Sequence, residues 1–302
     1  MKCLVVGGAG FIGSNLVDRL IDDNHEVVII DDLSTGKKEN INEKAIWNDM
    51  NIGLETAVPY MELIMKDVDV VFHLAALARV QPSIEEPLEY HKANVDGTHN
   101  LLVAARDAGV KKFVFSSSSS VYGDAEQVPT TEECKLNPMS PYALHKLIGE
   151  QYCKLFSDLY GMETVCLRYF NVYGERQNTE GAYCLVMGVF AGQLLKGQPM
   201  TINGDGEQRR DFTYVGDVID ANIKCATSKI KWNGDIFNIG NGDNRSVNQI
   251  ADMFGGDKIN IDPVLEPRQT LADNSKAKKI LNWKPTKKIE EWFPKWKKEL
   301  GL

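Results

Sequence analysis

The chain has no C-x-x-C pair among its 6 cysteines, no leader of charged then apolar residues, and no surplus of positive charge. It also lacks any uninterrupted apolar stretch near the roughly 18 residues of a membrane span. Cys3, Cys134, Cys153, Cys166, Cys184 and Cys225 are scattered, which argues against a disulfide scaffold or a zinc site and predicts reduced, buried thiols and no metal. A formal charge of -8 argues against nucleic acid or an anionic membrane as partner, while leaving room for a phosphorylated small molecule held by local basic residues. The first strand-like run, Cys3 to Val6, begins almost at the first Met, so the expectation is no signal peptide, no membrane attachment and a cytoplasmic protein.

What is present is an ordinary globular composition, 43% hydrophobic and 25% charged over 302 residues. Apolar runs at 2–6, 26–30, 68–72, 112–116 and 163–167 read as buried strands, and amphipathic stretches near 11–22, 54–65, 95–108 and 142–160 read as helices. Strict alternation of the two predicts βαβ units and an α/β fold with a parallel sheet covered on both faces. After about residue 170 the pattern loosens into Gly-, Asn- and Asp-rich segments. A lobe of shorter elements is expected there, ending in a helix that docks Trp292, Phe293 and Trp296.

Gly7-Gly8-Ala9-Gly10-Phe11-Ile12-Gly13 follows the first strand and opens the first helix. Gly8, Gly10 and Gly13 fit G-x-G-x-x-G, and Gly7, Gly10 and Gly13 fit G-x-x-G-x-x-G. Either spacing permits a tight turn and lets a pyrophosphate approach backbone N–H groups at a helix N-terminus. Asp31 ends the second strand, where a carboxylate can bond both ribose hydroxyls and repel a 2′-phosphate, which selects NAD over NADP. The alternative is a solvated Asp at a strand end, and Lys37 and Lys38 weigh toward tolerance of NADP. Tyr142 and Lys146 lie four apart, on one face of a helix. An ammonium beside a phenol favours the phenolate, so the pair is suited to redox chemistry at a hydroxyl. The alternative is a surface aromatic stacked under a lysine.

With these motifs in order, and with His73-Leu-Ala-Ala76, Asn94 with Gly97-Thr98, Val121-Tyr-Gly123, Arg168-Tyr-Phe-Asn-Val-Tyr-Gly174, Arg210-Asp-Phe-Thr-Tyr-Val215 and Leu271-Ala-Asp-Asn-Ser-Lys276, nearly the whole chain resembles the extended short-chain dehydrogenase/reductase family. Within it the likeness is to the nucleotide-sugar 4-epimerases. The resemblance implies a Rossmann-type doubly wound NAD domain at 1–170, rejoined by a segment near 210–240, and a smaller α/β nucleotide-sugar lobe over most of 171–302. It implies NAD contacts at Gly7, Gly10, Phe11, Ile12, Gly13, Asp31, Asp32, Ser34, Thr35, Gly36, Asp49, Met50, Leu74, Ala75, Ala76, Tyr142, Lys146 and Tyr169. It makes Ser118, Tyr142 and Lys146 a catalytic triad, in which Tyr142 takes the sugar O4 proton, Lys146 holds the phenolate and the nicotinamide ribose, and Ser118 shares or orients that proton. A homodimer through the helices near 95–108 and 142–160 is implied as well.

Dehydratases of the family carry an Asp-Glu pair between the catalytic residue and Val-Tyr-Gly, and its decarboxylases carry a Glu there. Ser119 and Ser120 stand in those places, and a serine has no useful basicity at neutral pH, so C5 deprotonation loses its base while C4 epimerisation needs none. For the UDP-sugar, the resemblance points to Ser118, Ser119, Ser120, Tyr142, Asn171, Arg210, Arg268 and Thr270. Pro263 replaces an arginine common in relatives, Arg268 is a candidate to compensate, and Arg210 has the alternative of a salt bridge with acidic neighbours. Thr270 occupies the gate position, where a small residue is expected to admit N-acetylhexosamines beside UDP-glucose and UDP-galactose. Two other readings remain: a UDP-glucuronate 4-epimerase, with Arg79 near the sugar carboxylate, and a dinucleotide-sensing protein without catalysis.

Overall fold

The computed structural model describes residues 1–179, 184–264 and 266–302. Two compact units are present. The first comprises Met1–Val121, Pro138–Arg168 and Ile219–Phe237. Its elements run β1 (Lys2–Val6), α1 (Phe11–Asp22), β2 (Glu26–Ile30), β3 (Ile46–Asn48), α2 (Val58–Ile64), β4 (Val70–His73), α3 (Val80–Glu85), α4 (Pro87–His91), α5 (Gly97–Asp107), β5 (Lys112–Ser118), α6 (Pro141–Tyr160) and β6 (Glu163–Tyr169).

The sheet has 7 strands in the order Asp235–Ile239, β6, β5, β4, β1, β2, β3. Strand β1 pairs in parallel with β2 on one side and β4 on the other, and β3 and β5 continue outward in parallel. The chain therefore winds away from β1 in both directions. Such a reversal opens a crevice at the carboxyl ends of the strands flanking it. Val and Ile dominate β1 and β2, both faces of which are covered, and the core shared with α2, α5 and α6 includes Leu4, Val28, Val71, Leu101 and Phe113.

The short strand β3 and the strand Asp235–Ile239 carry no clear signal in the sequence. Ile46, Trp47 and Asn48 are half-buried or exposed, so no apolar run marks them. Helix α5 begins at Gly97 after a π-helical turn, Lys92–Asp96, that carries Asn94. Turns of this kind inside helices tend to accompany functional sites.

The second unit comprises Tyr122–Asn137, Tyr169–Val218 and Asn238–Leu302. Its sheets are pairs: Val172–Tyr173 with Thr213–Tyr214, Arg209–Asp211 with Asn244–Ser246, and Met200–Asn203 with Lys258–Ile261. Its core is aromatic. The helix Ile289–Glu299 buries Trp292, Phe293 and Trp296, with the Phe293 ring edge-on to Phe254 at 4.6 Å and Trp292 stacked on Trp296 at 4.9 Å.

Helix α6 lies against β5 through a glycine. A methyl on Gly149 would come within 2.3 Å of the Phe115 ring. Gly149→Ala is therefore expected to overpack this contact by about 1–3 kcal/mol. Thermal unfolding followed by circular dichroism checks it: an unchanged midpoint would show that α6 is free to slide.

Candidate active site

The turn from β1 into α1 is built for close approach. Gly7 has φ +86, and a Cβ there would meet the Ala75 nitrogen at 2.5 Å; one on Gly13 would meet the Gly7 carbonyl oxygen at 2.0 Å. Gly10 caps α1 with extended backbone and no side-chain cap, and the first amide to close an intrahelical bond is Ser14, onto Gly10. The N–H groups of Phe11, Ile12 and Gly13 thus form the open, positive end of the helix. Leu74 and Ala75, just past β4, both donate to the Val6 carbonyl, which brings that loop against Gly7.

Asp31 is buried at the end of β2. One carboxylate oxygen accepts from the Ala9 amide and the other from the Leu33 amide, each at 2.9 Å. This is not the solvated aspartate of the alternative reading. Each oxygen keeps a lone pair for one ribose hydroxyl. Burial pushes the Asp31 carboxyl above its ordinary value, and the Ala9 and Leu33 amides pull it back. Gly36 leaves room beside this carboxylate, since a Cβ there would lie 2.7 Å from Oδ1. Asp32 ties the loop through the Ser34 amide at 3.0 Å, with Thr35 between Ser34 and Gly36, and Asp49 and Met50 follow β3. Ala76 follows Ala75 in the loop after β4, and Tyr169 ends β6. The small-residue cradle, the open helix end and the paired carboxylate together fit a dinucleotide.

The catalytic trio assembles on β5 and α6. Ser118 is the last residue of β5, and Ser119 and Ser120 enter the 3-10 turn Ser119–Tyr122, so the serine run is structured and not a linker. Ser140 caps α6 by accepting from the Ala143 amide, and Pro141 starts the helix. Tyr142 and Lys146 then sit one turn apart. The Ser118 hydroxyl lies by the Tyr142 phenol and favours its ionised form, and the Lys146 ammonium donates to the Ser116 carbonyl at 2.7 Å. The Lys146 nitrogen stands 6.0 Å from the centre of the Tyr142 ring and 5.1 Å from that of Phe115.

The electrostatics differ from the sequence expectation. The Tyr142 phenol is held above its ordinary value, because burial outweighs the lowering effects of Ser118 and of the Arg79 guanidinium. Burial also brings Lys146 down to about 8, against the opposing charge of Glu150. The cation that acts on the phenol here is Arg79, while the Lys146 ammonium is engaged with Ser116. Sequence reasoning placed Arg79 only near a sugar carboxylate. Its backbone φ of +108 is unusual for a residue with a side chain. Neighbours fix it: Asn94 bonds both the N–H and the C=O of Leu77 at 2.9 Å, and the Tyr90 hydroxyl donates to the Ala78 carbonyl. Ser83 then accepts from the Tyr142 amide at 3.2 Å, seating α6 on α3. His73, fully buried and bonded to Thr98, is held neutral by burial, at about 3.

In the second unit, Asn171, Arg210 and Thr270 come together. Asn171 has φ +22, and its amide donates to the Asp211 carbonyl at 3.1 Å and reaches the Thr270 hydroxyl at 3.4 Å. The Thr270 hydroxyl also accepts from the Asp211 amide. Arg210 takes the salt-bridge alternative, with Glu266 at 2.5 Å. Arg268 stands apart from these three, exposed and forked onto Asp205 at 2.8 and 2.9 Å. Pro263 lies near Gly204, where a Cβ would approach it at 3.4 Å.

Two outcomes test this geometry. Gly7→Ala should weaken NAD binding about tenfold or more, read by calorimetric titration, because the strain of a Cβ at that turn falls on the nucleotide cradle. Arg79→Gln should move the acidic limb of the pH–rate profile to higher pH, since a phenol without its cation ionises later. A limb that stays in place would remove Arg79 from the electrostatics of the phenol.

The chain is 37% identical to a UDP-glucose 4-epimerase of Mycolicibacterium smegmatis over 98% of this chain and 97% of the relative. The structure matches that of a Thermotoga maritima UDP-glucose 4-epimerase with UDP-glucose, at TM-score 0.92 and 38% identity over 99% of this chain and 100% of that one. It also matches a UDP-N-acetylglucosamine 4-epimerase of Methanobrevibacter ruminantium in complex with UDP-N-acetylmuramic acid, at TM-score 0.89 and 38% identity over 98% of both chains. Residues 3–240 match the family model of NAD dependent epimerases and dehydratases, and the chain belongs to that family.

Proposed function

We propose that the chain is an NAD-dependent 4-epimerase of UDP-hexoses, acting on UDP-glucose and UDP-galactose and, through a small gate residue, on UDP-N-acetylglucosamine and UDP-N-acetylgalactosamine. The observation that carries the reading is a buried phenol beside Ser118, with a buried lysine one turn away and Ser119 and Ser120 next along the chain. Those groups can move a proton at O4, and neither serine can abstract one from C5. The likeness to two sugar-nucleotide 4-epimerases supports the same assignment.

Tyr142 accepts the O4 proton as the hydroxyl becomes a carbonyl and returns it when the opposite epimer forms. Ser118, beside the phenol, orients O4 and passes the proton along a short path. Lys146 contributes a positive charge close to the phenolate and a donor for a ribose hydroxyl. When bound, a dinucleotide would supply the redox capacity at C4; the cradle of Gly7, Gly10 and Gly13 would hold its pyrophosphate and Asp31 a ribose. The 4-keto sugar must turn within the site before it is reduced. We assign Asn171 and Arg210 to the diphosphate. Arg210 is already paired with Glu266, so an incoming phosphate competes with a carboxylate for one guanidinium fork. Arg268 meets the same competition from Asp205.

Thr270 is the proposed gate. Its hydroxyl is held by Asn171 and the Asp211 amide, which leaves a small methyl as the remaining bulk. We also propose a homodimer formed through α5 and α6, supported by exposed Leu144, Leu155 and Leu159 on α6, and a cytoplasmic location. Among the described residues no helix is long and apolar enough to cross a membrane. The Arg79 guanidinium near the phenol favours UDP-glucuronate as the second reading, since a C6 carboxylate would pair with it.

Incubation with UDP-glucose and UDP-N-acetylglucosamine, with products resolved by NMR, tests the assignment. Conversion of both to their C4 epimers is expected, with Tyr142→Phe lowering kcat by at least about a hundredfold. Thr270→Tyr should remove N-acetyl turnover and spare UDP-glucose; unchanged N-acetyl turnover would discard the gate. If native protein converts neither substrate but epimerises UDP-glucuronate, the second reading holds.

A further inference from the structure

Helix α6 presents three polar side chains at a spacing of four, Tyr142, Lys146 and Glu150, and all three meet the serine run at the end of β5. Ser118 lies by the Tyr142 phenol, and the Ser116 carbonyl takes the Lys146 ammonium. The Ser117 hydroxyl donates to Glu150 Oε1 at 2.5 Å. Glu150 in turn receives Arg168 from β6, with Nε on Oε1 at 2.8 Å and Nη2 on Oε2 at 2.7 Å. The two side chains are 3% and 1% exposed.

We propose that the buried Glu150–Arg168 pair is a positioning device for the active site: through Ser117 it locks the register of α6 on β5, and it places a carboxylate one helical turn from Lys146. Neither residue touches the phenol, so their effect passes through Lys146 and through helix placement. The inference rests on the proposed function only for its kinetic readout.

Geometry sets the case. Burying an ion pair is costly and a buried pair is seldom retained for stability alone, because well-packed apolar residues of equal volume often do as well. Here the fork is met on both oxygens and a third donor is added from the residue next to Ser118. A shift of α6 that broke this pattern would leave a charge unpaired in the core, so the helix has one allowed register. Among the described residues, few groups act on Lys146. On α6 they are Tyr142, His145, Glu150 and Cys153; β4 contributes the neutral His73, and β5 contributes Phe115 and the Ser116 carbonyl. Glu150 is the only carboxylate among them. It opposes the burial that brings Lys146 down to about 8. Without that carboxylate, the lysine would lose its proton at lower pH.

The test uses the full chain with bound NAD and three variants. Glu150→Gln removes the anion, Glu150→Gln with Arg168→Met removes both charges so that no lone cation is left buried, and Glu150→Asp keeps the anion on a shorter arm. Lysine labelled with carbon-13 at Cε gives the titration of Lys146 directly, its signal assigned by loss in Lys146→Met. The native midpoint is expected near 8. It should fall by about one unit in whichever neutral variant folds and stay near the native value in Glu150→Asp. In Glu150→Asp, kcat for UDP-glucose should fall about tenfold, with KM little changed, because the register lock is misplaced by one methylene. A Lys146 midpoint unmoved in a folded neutral variant, or native kcat in Glu150→Asp, overturns the proposal. Should native protein fail to epimerise UDP-glucose, the functional reading fails, and the Lys146 titration still decides this one.

Discussion

Helix α6 delivers a tyrosine and a lysine to the end of the sheet because Gly149 lets it lie against Phe115 without a Cβ between them. That contact fixes the distance between α6 and β5, and the Ser116, Ser117 and Ser118 links fix its register. The other site features have value only in relation to it. A phenol misplaced by an ångström would no longer share a proton with Ser118, and a lysine turned outward would lose its hold on the Ser116 carbonyl. The serine run has a compositional resemblance to a linker, yet Ser116 and Ser117 each carry a bond to the helix and Ser118 lies by its phenol.

Burial is the second constraint, and it works against the chemistry it encloses. Removing Tyr142 and Lys146 from water disfavours the phenolate and the ammonium alike. Charges that compensate must come from nearby elements. Arg79 does so for the phenol from a backbone conformation that Asn94, Tyr90 and Ser83 hold in place, and Glu150 does so for the lysine from one turn along α6. The residues that look structural in this unit, a clamp asparagine and a buried ion pair, therefore bear on proton transfer.

Much of the nucleotide cradle was legible because its signal is local. Gly7, Gly10 and Gly13 are flanked by an apolar strand and an amphipathic helix, and Asp31 ends the next apolar run, so spacing alone gives the geometry. The direction of the Tyr142 shift was not legible, since nothing in the spacing of Tyr142 and Lys146 tells how deeply the phenol is buried or that the ammonium is engaged elsewhere. Arg79 gives no sign of its positive φ in the sequence. Glu150 did leave a trace, as a carboxylate four residues beyond Lys146 on a buried face, but its partner Arg168 lies on another strand. The strands Ile46–Asn48 and Asp235–Ile239 escape periodicity, the first because it is three residues long and half exposed. The second unit is the least legible, because its pairs are short and its polar contacts, such as Asn171 with Thr270, join distant segments.

The site moves a proton only at O4 and leaves every carbon-bound proton of the sugar out of exchange with water. Epimerisation of UDP-glucose in deuterium oxide, run to equilibrium and read by proton and deuterium NMR, tests this. UDP-galactose with full protium at C4 and at C5 is expected. Deuterium at C5 would reveal a base that Ser119 and Ser120 do not provide, and deuterium at C4 would mean that the hydrogen leaves the site during the reaction; either result would overturn proton transfer confined to O4.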